Sequence, residues 1–317
     1  MISPDYDNYF KSFLIMENMT LSVDVGGTFT DFVIIDDEIK HYKVPSTPSK
    51  PENAIKDGLR EKKLDGDFFH GTTVTTNAFL EGKGIETAFV TNRGFEDILF
   101  IGRQNRPKLY QLDIKRDKPP LNPKFCYGIK GRIDSDGDVI EELDLDEIHN
   151  LAKTLNEKEL STAVCLLHSY VNPNHELKIA EILENHEIPF SLSSQVSREF
   201  REYERGMTTL LDAYLAPLIR NYFQSVTEIV NKEPLVMKSG GGLERASKVD
   251  PVDTLYSGPA GGVAGGLHIS NLSSVENIVT FDMGGTSADM AAIIEGEMYW
   301  KDQGKIDSFP IQSKMVD

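Results

Sequence analysis

The chain has 317 residues, which is enough for two domains that each bury a core. Hydrophobic residues make up 39% of the sequence and charged residues 26%, a balance typical of soluble globular proteins. Because 50 Asp and Glu residues outnumber 33 Lys and Arg residues, the net charge is −17, which argues against a general nucleic-acid or anionic-membrane binder.

Residues 1–18 lack the pattern of a signal peptide, and they are predicted to be a loosely ordered extension. No apolar run approaches the ~20 residues that a membrane span requires. The two cysteines, Cys126 and Cys165, form no C-x-x-C motif and no metal-binding pattern. We therefore expect a cytoplasmic chain in a reducing compartment.

Three strands are predicted at 20–25, 30–36 and 38–44, and the first turn between them carries a candidate phosphate site. Gly26 and Gly27 let the backbone turn tightly and approach a ligand closely, and the Thr28 hydroxyl suits a phosphate oxygen. Asp24, on the strand just before the turn, suits a magnesium ion that would neutralise such phosphates.

The next motif, H-G-T-T, follows a predicted helix at 51–63 and a short strand at 67–70. A helix is expected to begin after His70, Thr72 and Thr73. Two interpretations stay open. Either this helix start offers N–H groups to an anion or carbonyl oxygen, or the threonines cap the helix and the histidine packs beneath it.

A strand at 86–91 and a short helix at 98–101 precede a long irregular segment, residues 102–120. Loops of this length are uncommon unless they have a function. Its Arg103 and Arg106 either bind a carboxylate or phosphate or lie solvated on the surface.

The middle of the chain is predicted to alternate strands and helices, which indicates an α/β layer architecture. Residues 124–133 and 138–142 are predicted to form a hairpin, and the D-S-D-G-D sequence between them lacks EF-hand spacing, which favours a polar turn over a calcium site. The other elements predicted here are helices at 144–156 and 176–186 and strands at 161–168 and 189–193.

The longest helical pattern covers 204–230, and Pro217 within it is expected to kink or split the helix. A strand at 235–237 follows. The sequence SGPAGGVAGG, residues 257–266, then predicts a helix of small residues that another backbone can approach closely.

The first turn motif returns at 278–290, where Asp282 precedes Gly284, Gly285 and Thr286 on a second strand–turn–strand. One D-x-G-G-T turn is a weak signal, but two copies are much stronger. They resemble the two phosphate hairpins that face each other in the actin, hexokinase and Hsp70 type of ATPase. The sequence therefore predicts an α/β protein with the actin-like ATPase, ribonuclease H-like fold.

Six blocks together resemble the hydantoinase/oxoprolinase family, and within it the A-type subunit of N-methylhydantoinases and the β-type subunit of acetone carboxylases. The blocks are DVGGTFTDFVI, HGTTVTTNAFLEGKG, RGFEDILFIGRQNRPKLYQL, YERGMTTLLDAYLAP, SGPAGGVAGG and FDMGGTSADMA. The resemblance implies an enzyme that uses ATP and a divalent metal, Mg²⁺ or Mn²⁺, to phosphorylate a lactam or carbonyl oxygen.

The resemblance also implies roles for individual residues. The phosphates of ATP would lie against Gly26, Gly27, Thr28, Gly284, Gly285 and Thr286, and the metal against Asp24 and Asp282. His70, Thr72, Thr73 and Arg103 would be the first places to look for substrate contacts. Asp31 would act as a base only for a hydroxyl or hydrate acceptor; otherwise it closes its turn.

By this resemblance residues 19–271 form a nearly complete first actin-like domain, and 272–317 form the opening hairpin of a truncated second domain. The expected partners are a cyclic amide or ketone substrate, a polypeptide carrying the rest of the second domain, and a B-type hydantoinase subunit, with no nucleic acid or membrane. Two alternatives stay open: a non-catalytic or partial subunit, and a small-molecule kinase of the same fold.

Overall fold

The computed structural model describes residues 19–59, 66–105, 110, 117–283 and 288–316. These residues form two compact units. Unit 1 contains the described residues of 1–77, 219–302 and 314–317, and unit 2 contains those of 78–218 and 303–313. The predicted domain boundaries at 18 and 271 stay predictions, and the extension at 1–18 lies outside the described residues.

The described strands are, in chain order, β1 Thr20–Val25, β2 Phe29–Ile35, β3 Ile39–Pro45, β4 Phe68–Thr72, β5 Thr87–Asn92, β6 Cys126–Ile129, β7 Arg132–Ile133, β8 Val139–Glu141, β9 Ser161–Val164, β10 Phe190–Leu192, β11 Leu235–Met237, β12 Leu243–Arg245, β13 Ile278–Met283, β14 Ala288–Ile294, β15 Glu297–Met298, β16 Trp300–Lys301, β17 Gly304–Ile306, β18 Phe309–Ile311 and β19 Met315–Val316. The described α-helices are α1 Pro51–Leu59, α2 Val74–Leu80, α3 Ile98–Ile101, α4 Leu145–Glu157, α5 Asn174–Asn185, α6 Ser193–Val196, α7 Glu202–Val230 and α8 Ser257–Ser273.

Unit 1 is built on a six-stranded sheet with the order β12-β11-β4-β1-β2-β3. β4 runs parallel to β1 and β11, while β2 is antiparallel to β1 and β3. Side chains alternate across the sheet, so Leu21, Val23 and Val25 are buried on one face, while Ser22 and Asp24 lie on the other. The motif-bearing carboxylate is therefore kept out of the core.

Unit 2 is built on a fully parallel sheet with the order β10-β9-β5-β6. The hairpin predicted at 124–133 and 138–142 is wrong for its first half. Cys126–Ile129 joins this sheet beside β5, and only Arg132–Ile133 pairs with Val139–Glu141. Gly131, at φ 124°, separates the two strands, because this backbone conformation favours glycine.

Helix α7 runs without interruption from Glu202 to Val230, so the predicted split at Pro217 does not occur. Proline has no N–H, which leaves the carbonyl of Ala213, four residues earlier, without its helical donor. The Ser161 hydroxyl donates to that carbonyl at 2.8 Å. The next carbonyl, that of Tyr214, accepts from the Ile85 amide at 3.0 Å. Donors from β9 and from the segment before β5 thus satisfy the groups that would otherwise disfavour proline here.

Helix α8 packs against β4 and β11 of the six-stranded sheet and against the β13–β14 hairpin, all within unit 1. A Cβ atom built on Gly266 would lie 2.4 Å from Cγ2 of Thr280 and 3.3 Å from Cδ1 of Ile293. The small-residue pattern therefore has a physical reason, since a side chain at this position would push the hairpin off the helix. Among the described residues, no helix is long and apolar enough to cross a membrane.

Candidate functional site

The first D-x-G-G-T hairpin is formed by β1 and β2, with Asp24 paired across the strands with Asp31. Its turn is held in place from outside. The Ser46 amide donates to the Thr28 carbonyl at 2.9 Å, and the Ser46 hydroxyl donates to the Gly26 carbonyl at 2.7 Å. The turn is therefore fixed in shape before any ligand binds.

The amides of Gly27 and Thr28 find no acceptor within the described part of the chain, and both residues are exposed. An exposed turn with unpaired N–H groups is the usual geometry for holding an anion. The residue type matters at Gly26, where a Cβ atom would lie 3.0 Å from the Phe29 carbonyl oxygen. The predicted phosphate role of Gly26, Gly27 and Thr28 remains a proposal.

Asp24 lies directly over β4. In the parallel pairing it faces Gly71, and a Cβ atom there would lie 2.9 Å from the Asp24 Oδ1 atom. The carboxylate is reached by solvent yet sits in a recess of protein atoms. Its pKa is raised, first by this partial desolvation and then by the negative charges of Asp31 and Asp282. Gly71 was not predicted as a site residue, since its partner on β1 is distant in sequence.

The second hairpin, β13–β14, repeats the pairing of the first. Asp282 is the cross-strand partner of Asp289, as Asp24 is of Asp31. The repeat is therefore D-x-G-G-T-x-x-D, three residues longer than the predicted motif. Asp289 was missed as a candidate, and comparing the two copies residue by residue would have found it. It also raises the pKa of Tyr256, after the larger effect of burial.

The turn of the second hairpin is not described, and so the predicted phosphate residues Gly284, Gly285 and Thr286 lie outside the described residues. What is described is the strand end before that turn. The charge of Asp282 contributes to the raised pKa of Asp24, so the two motif carboxylates are close enough to interact.

Asp31 is less free than Asp24, because it forms an ion pair with Lys43 of β3 at 3.1 Å. Both partners are about half exposed, so this pair contributes little to stability. The pairing partly neutralises Asp31. Of the ion pairs formed among the described residues, none involves Asp24.

His70 is buried on the face of the six-stranded sheet opposite to Asp24, and both of its ring nitrogens are hydrogen-bonded there. Nδ1 lies 3.1 Å from the carbonyl of Val23, which only accepts, so this nitrogen carries the proton. Nε2, 2.8 Å from the Tyr222 hydroxyl, then accepts. Burial lowers the pKa of His70 to about 4, although the hydrogen bond to Val23 opposes this. These hydrogen bonds favour the structural interpretation over substrate contact.

The two threonines also have local partners. The Thr72 hydroxyl is buried and accepts from the amide of Val74 at 3.1 Å, at the start of α2. The Thr73 hydroxyl donates to the Val25 carbonyl at 3.1 Å and accepts from Asn77 at 3.2 Å. Thr73 therefore ties the start of α2 to the end of β1, just before the phosphate turn, while Thr72 satisfies the first amide of α2.

Arg103, the remaining substrate candidate, belongs to unit 2 and is clamped by Glu204. Its Nε and Nη2 atoms donate to the two carboxylate oxygens at 2.8 and 2.6 Å. The hydrogen bond to Glu204 raises the pKa of Arg103, and the pKa of Glu204 is lowered because this bond outweighs burial. Arg106, the other arginine considered in this loop, lies outside the described residues.

The acids of the two hairpins fit a hydrated magnesium ion better than a fully protein-bound one. In the described parts of the chain, no three His, Cys, Asp or Glu side chains form a metal-binding cluster. Mg²⁺ is usually held by one or two carboxylates together with water and substrate phosphates. Asp24 and Asp282 are two carboxylates of this kind, and the charge of Asp282 adds to burial and to the charge of Asp31 in raising the pKa of Asp24.

Both family models and known proteins match this chain. A family model described as the hydantoinase/oxoprolinase N-terminal region matches residues 20–187, and one described as hydantoinase/oxoprolinase matches residues 205–317. The chain is 30% identical to a 5-oxoprolinase of Dictyostelium discoideum over 368 aligned residues, covering 96% of this chain and 29% of the relative.

Two solved structures are similar to this one. The ATP-dependent caprolactamase from Pseudomonas jessenii matches with a TM-score of 0.84 and 28% identity, over 94% of this chain and 47% of that chain. Nucleotide-free acetone carboxylase matches with a TM-score of 0.81 and 25% identity, over 95% and 47%. Both have the actin-like ATPase type of fold, which confirms the predicted fold class. The chain spans less than half the length of the curated relatives it matches.

Proposed function

Because this chain belongs to the hydantoinase/oxoprolinase family, we propose that its two hairpins hold the phosphates and metal of MgATP for phosphorylation of a lactam or carbonyl oxygen. The observation that carries this proposal is the repeated hairpin pairing, in which Asp24 faces Asp31 and Asp282 faces Asp289 at equivalent positions of the two repeats. Two acids complement the charge of a divalent metal ion, and the N–H groups of glycine turns complement the phosphates that the metal accompanies.

In this proposal the turn residues bind and orient the nucleotide. The unpaired amides of Gly27 and Thr28 and the Thr28 hydroxyl donate to phosphate oxygens, and Gly284, Gly285 and Thr286 do the same from the second turn. Asp24 and Asp282 hold the water shell of Mg²⁺ or Mn²⁺. When bound, MgATP supplies the phosphoryl group and the positive charge that neutralises it.

The acceptor chemistry follows from the substrate oxygen. A lactam oxygen carries no proton, so its phosphorylation needs no strong base, and Asp31 beside Lys43 has no required role in that step. Phosphorylation makes the amide carbon electrophilic. Attack by one water expels the ring nitrogen as an amine and leaves an acyl phosphate, and a second water then releases inorganic phosphate. Lactam, ATP and two waters thus give amino acid, ADP and phosphate. On a ketone, the same activation would lead to carboxylation.

The relatives contain more polypeptide than this chain covers. The β13–β14 hairpin exposes an apolar face, with Val279, Phe281, Met283 and Met290 each more than half exposed. Exposed patches of this kind commonly mark an interface. We assign this face to the part of the relatives that the present chain does not cover, with a B-type subunit as a further partner. The two free cysteines suit a reducing, cytoplasmic compartment.

The test is to incubate the chain with MgATP and neutral lactams, or with ketones and bicarbonate, and to follow ADP and organic products. Ring opening coupled to ADP release supports the proposal, and Asp24→Asn should abolish it. Asp37→Asn, in the exposed β2–β3 turn, is the matched control. A stable phosphorylated product would identify a kinase instead, and MgATP binding without turnover by any acceptor would identify a non-catalytic subunit.

A second readout does not depend on turnover. Since burial, and then the charges of Asp31 and Asp282, raise the pKa of Asp24, the ionised carboxylate is unfavourable in the folded protein above that pKa. Asp24→Asn should therefore increase stability when no metal is present, and MgATP should stabilise the wild type but not the variant. A loss of stability in Asp24→Asn without metal would contradict the assignment of Asp24 to a cation site.

A further inference from the structure

The parallel sheet of unit 2 reverses its strand order between β5 and β9. In the order β10-β9-β5-β6, the chain leaves β5 towards β6 on one side and leaves β9 towards β10 on the other. Ligands of parallel sheets bind at such a reversal, beyond the carboxyl ends of the strands. Here those ends are Asn92 and Val164, and the Asn92 side chain accepts from the Leu167 amide at 2.7 Å across the reversal.

Arg205 of α7 reaches this carboxyl edge fully buried and only partly paired. Its Nη2 atom donates to the carbonyl of Leu166, two residues beyond the end of β9. Its Nε and Nη1 atoms are buried without a hydrogen-bond partner, and no ion pair among the described residues includes this guanidinium group. Burying a cation is costly unless its charge and its N–H groups are matched. The two free donors therefore mark a position for acceptor oxygens.

Glu176 is buried at the same edge but uses its oxygens for other donors. Oε1 accepts from the Leu166 amide at 2.9 Å and from the Ser193 hydroxyl at 2.6 Å, and Oε2 accepts from the Ser194 amide at 2.8 Å. These three bonds hold the carboxylate in place. Glu176 therefore balances the charge of Arg205 from a distance without satisfying its free N–H groups.

The side chains against the guanidinium group of Arg205 are weakly polar. The Tyr170 ring lies over it, with its centroid 5.1 Å from Cζ. Burial raises the pKa of the Cys165 thiol while the charge of Arg205 opposes this, so the thiol adjoins the same group. Such surroundings suit a ligand with oxygens on one side and carbon on the other. Since Glu176 already places a negative charge at this edge, a dianion such as phosphate would be repelled.

We propose that the carboxyl edge of the unit 2 sheet binds a carboxylate of formate or acetate size, whose oxygens accept from Nε and Nη1 of Arg205. This site does not depend on the proposed function, because its residues belong to unit 2 and the phosphate hairpins belong to unit 1. Charge-assisted N–H···O bonds of this kind are among the stronger hydrogen bonds in proteins. The bound carboxylate pairs the buried cation and thereby stabilises the folded chain.

The Nε–H group of Arg205 gives a direct readout by NMR. In the full chain labelled with ¹⁵N in arginine, its signal can be assigned by its loss in Arg205→Lys. If that variant does not fold, Tyr170→Leu identifies the signal instead, by removing the ring over the guanidinium group. Arg103 is the internal control, because its Nε atom already donates to Glu204 at 2.8 Å. Sodium formate, acetate and phosphate are titrated at constant ionic strength, made up with sodium chloride.

Formate and acetate should shift the Arg205 signal saturably and leave the Arg103 signal in place, and phosphate should bind at least about tenfold more weakly. In urea unfolding, acetate should stabilise the wild type and Arg201→Lys, an exposed control four residues earlier, but not Arg205→Lys. The inference is overturned by parallel shifts of both arginine signals, by equal binding of phosphate, or by no saturable shift with either carboxylate. A site that holds water alone gives the last of these results.

Discussion

Acidification should weaken unit 1 through a single buried histidine. The perturbation is a fall in pH through the range in which His70 gains a proton. Its ring is 1% exposed, Nδ1–H donates to Val23, and Nε2 accepts from Tyr222. Protonation places a charge in the core and leaves Nε2 facing the oxygen atom of a hydroxyl that had been its donor.

The magnitude follows from the two pKa values. The ordinary pKa of 6.5 falls to about 4 in the folded protein. The unfolded chain therefore binds the proton first, so the stabilising contribution of neutral His70 is complete above pH 6.5 and is lost as pH falls towards 4. At 1.36 kcal/mol per pKa unit, the loss amounts to about 3 kcal/mol at the acidic end.

The assay is urea unfolding at several pH values between 7 and 4, followed by fluorescence of Trp300. This is the single tryptophan of the sequence, and it reports on unit 1, where its indole N–H donates to the Gly240 carbonyl at 3.1 Å. Wild type is compared with His70→Gln, whose side-chain carbonyl can accept from Tyr222. His41→Gln, on exposed β3, is the matched control.

The difference between wild type and His70→Gln in the pH dependence of the free energy of unfolding reports on His70 alone. His175, whose pKa is also lowered by burial, is present in both proteins. On acidification, the free energy of unfolding of His70→Gln should fall by about 3 kcal/mol less than that of the wild type. His41→Gln should follow the wild type. Equal pH dependence in wild type and His70→Gln would refute the reasoning.

Two further predictions concern backbone groups and packing. Ser161→Ala removes the donor to the Ala213 carbonyl and should cost about 1–2 kcal/mol, but almost nothing in a Pro217→Ala background, where the helix supplies that donor again. A double-mutant cycle by urea unfolding measures this, and equal costs in the two backgrounds would contradict the account of Pro217. Gly58→Ala should destabilise unit 1 by about 1–3 kcal/mol despite better helix propensity, because its Cβ atom would lie 2.1 Å from Cζ of Phe32. Thermal unfolding shows whether Gly58→Ala is less stable than the wild type, and a more stable variant would contradict the packing of α1 on β2.

The two hairpins could be predicted because their signal is local. Strand, glycine turn and strand lie within about a dozen residues, and the repeat appears twice, so the sequence indicated the fold class before any contact was known. The same repeat contains Asp289, three residues after the threonine that ends the predicted motif. The cross-strand pairing of Asp282 with Asp289 shows that the final aspartate of the repeat lies beside its first one.

The features that were missed depend on contacts between distant parts of the chain. Gly71 matters because β4 lies parallel to β1 and brings it under Asp24, and nothing in the local H-G-T-T sequence specifies that neighbour. The strand at Cys126–Ile129 was assigned to a hairpin because short apolar runs do not reveal their partner. Pro217 is tolerated because Ser161 donates to the carbonyl that it leaves free.

The central claim is that the two hairpins together hold MgATP, and calorimetry on the full chain tests it most directly. Wild type, Asp24→Asn and Asp282→Asn would be titrated with MgATP, with Asp37→Asn as the control. The account predicts saturable binding that weakens at least about tenfold in each of the first two variants and not in the control. Absence of binding to the wild type, or unchanged affinity in Asp24→Asn and Asp282→Asn, would contradict it.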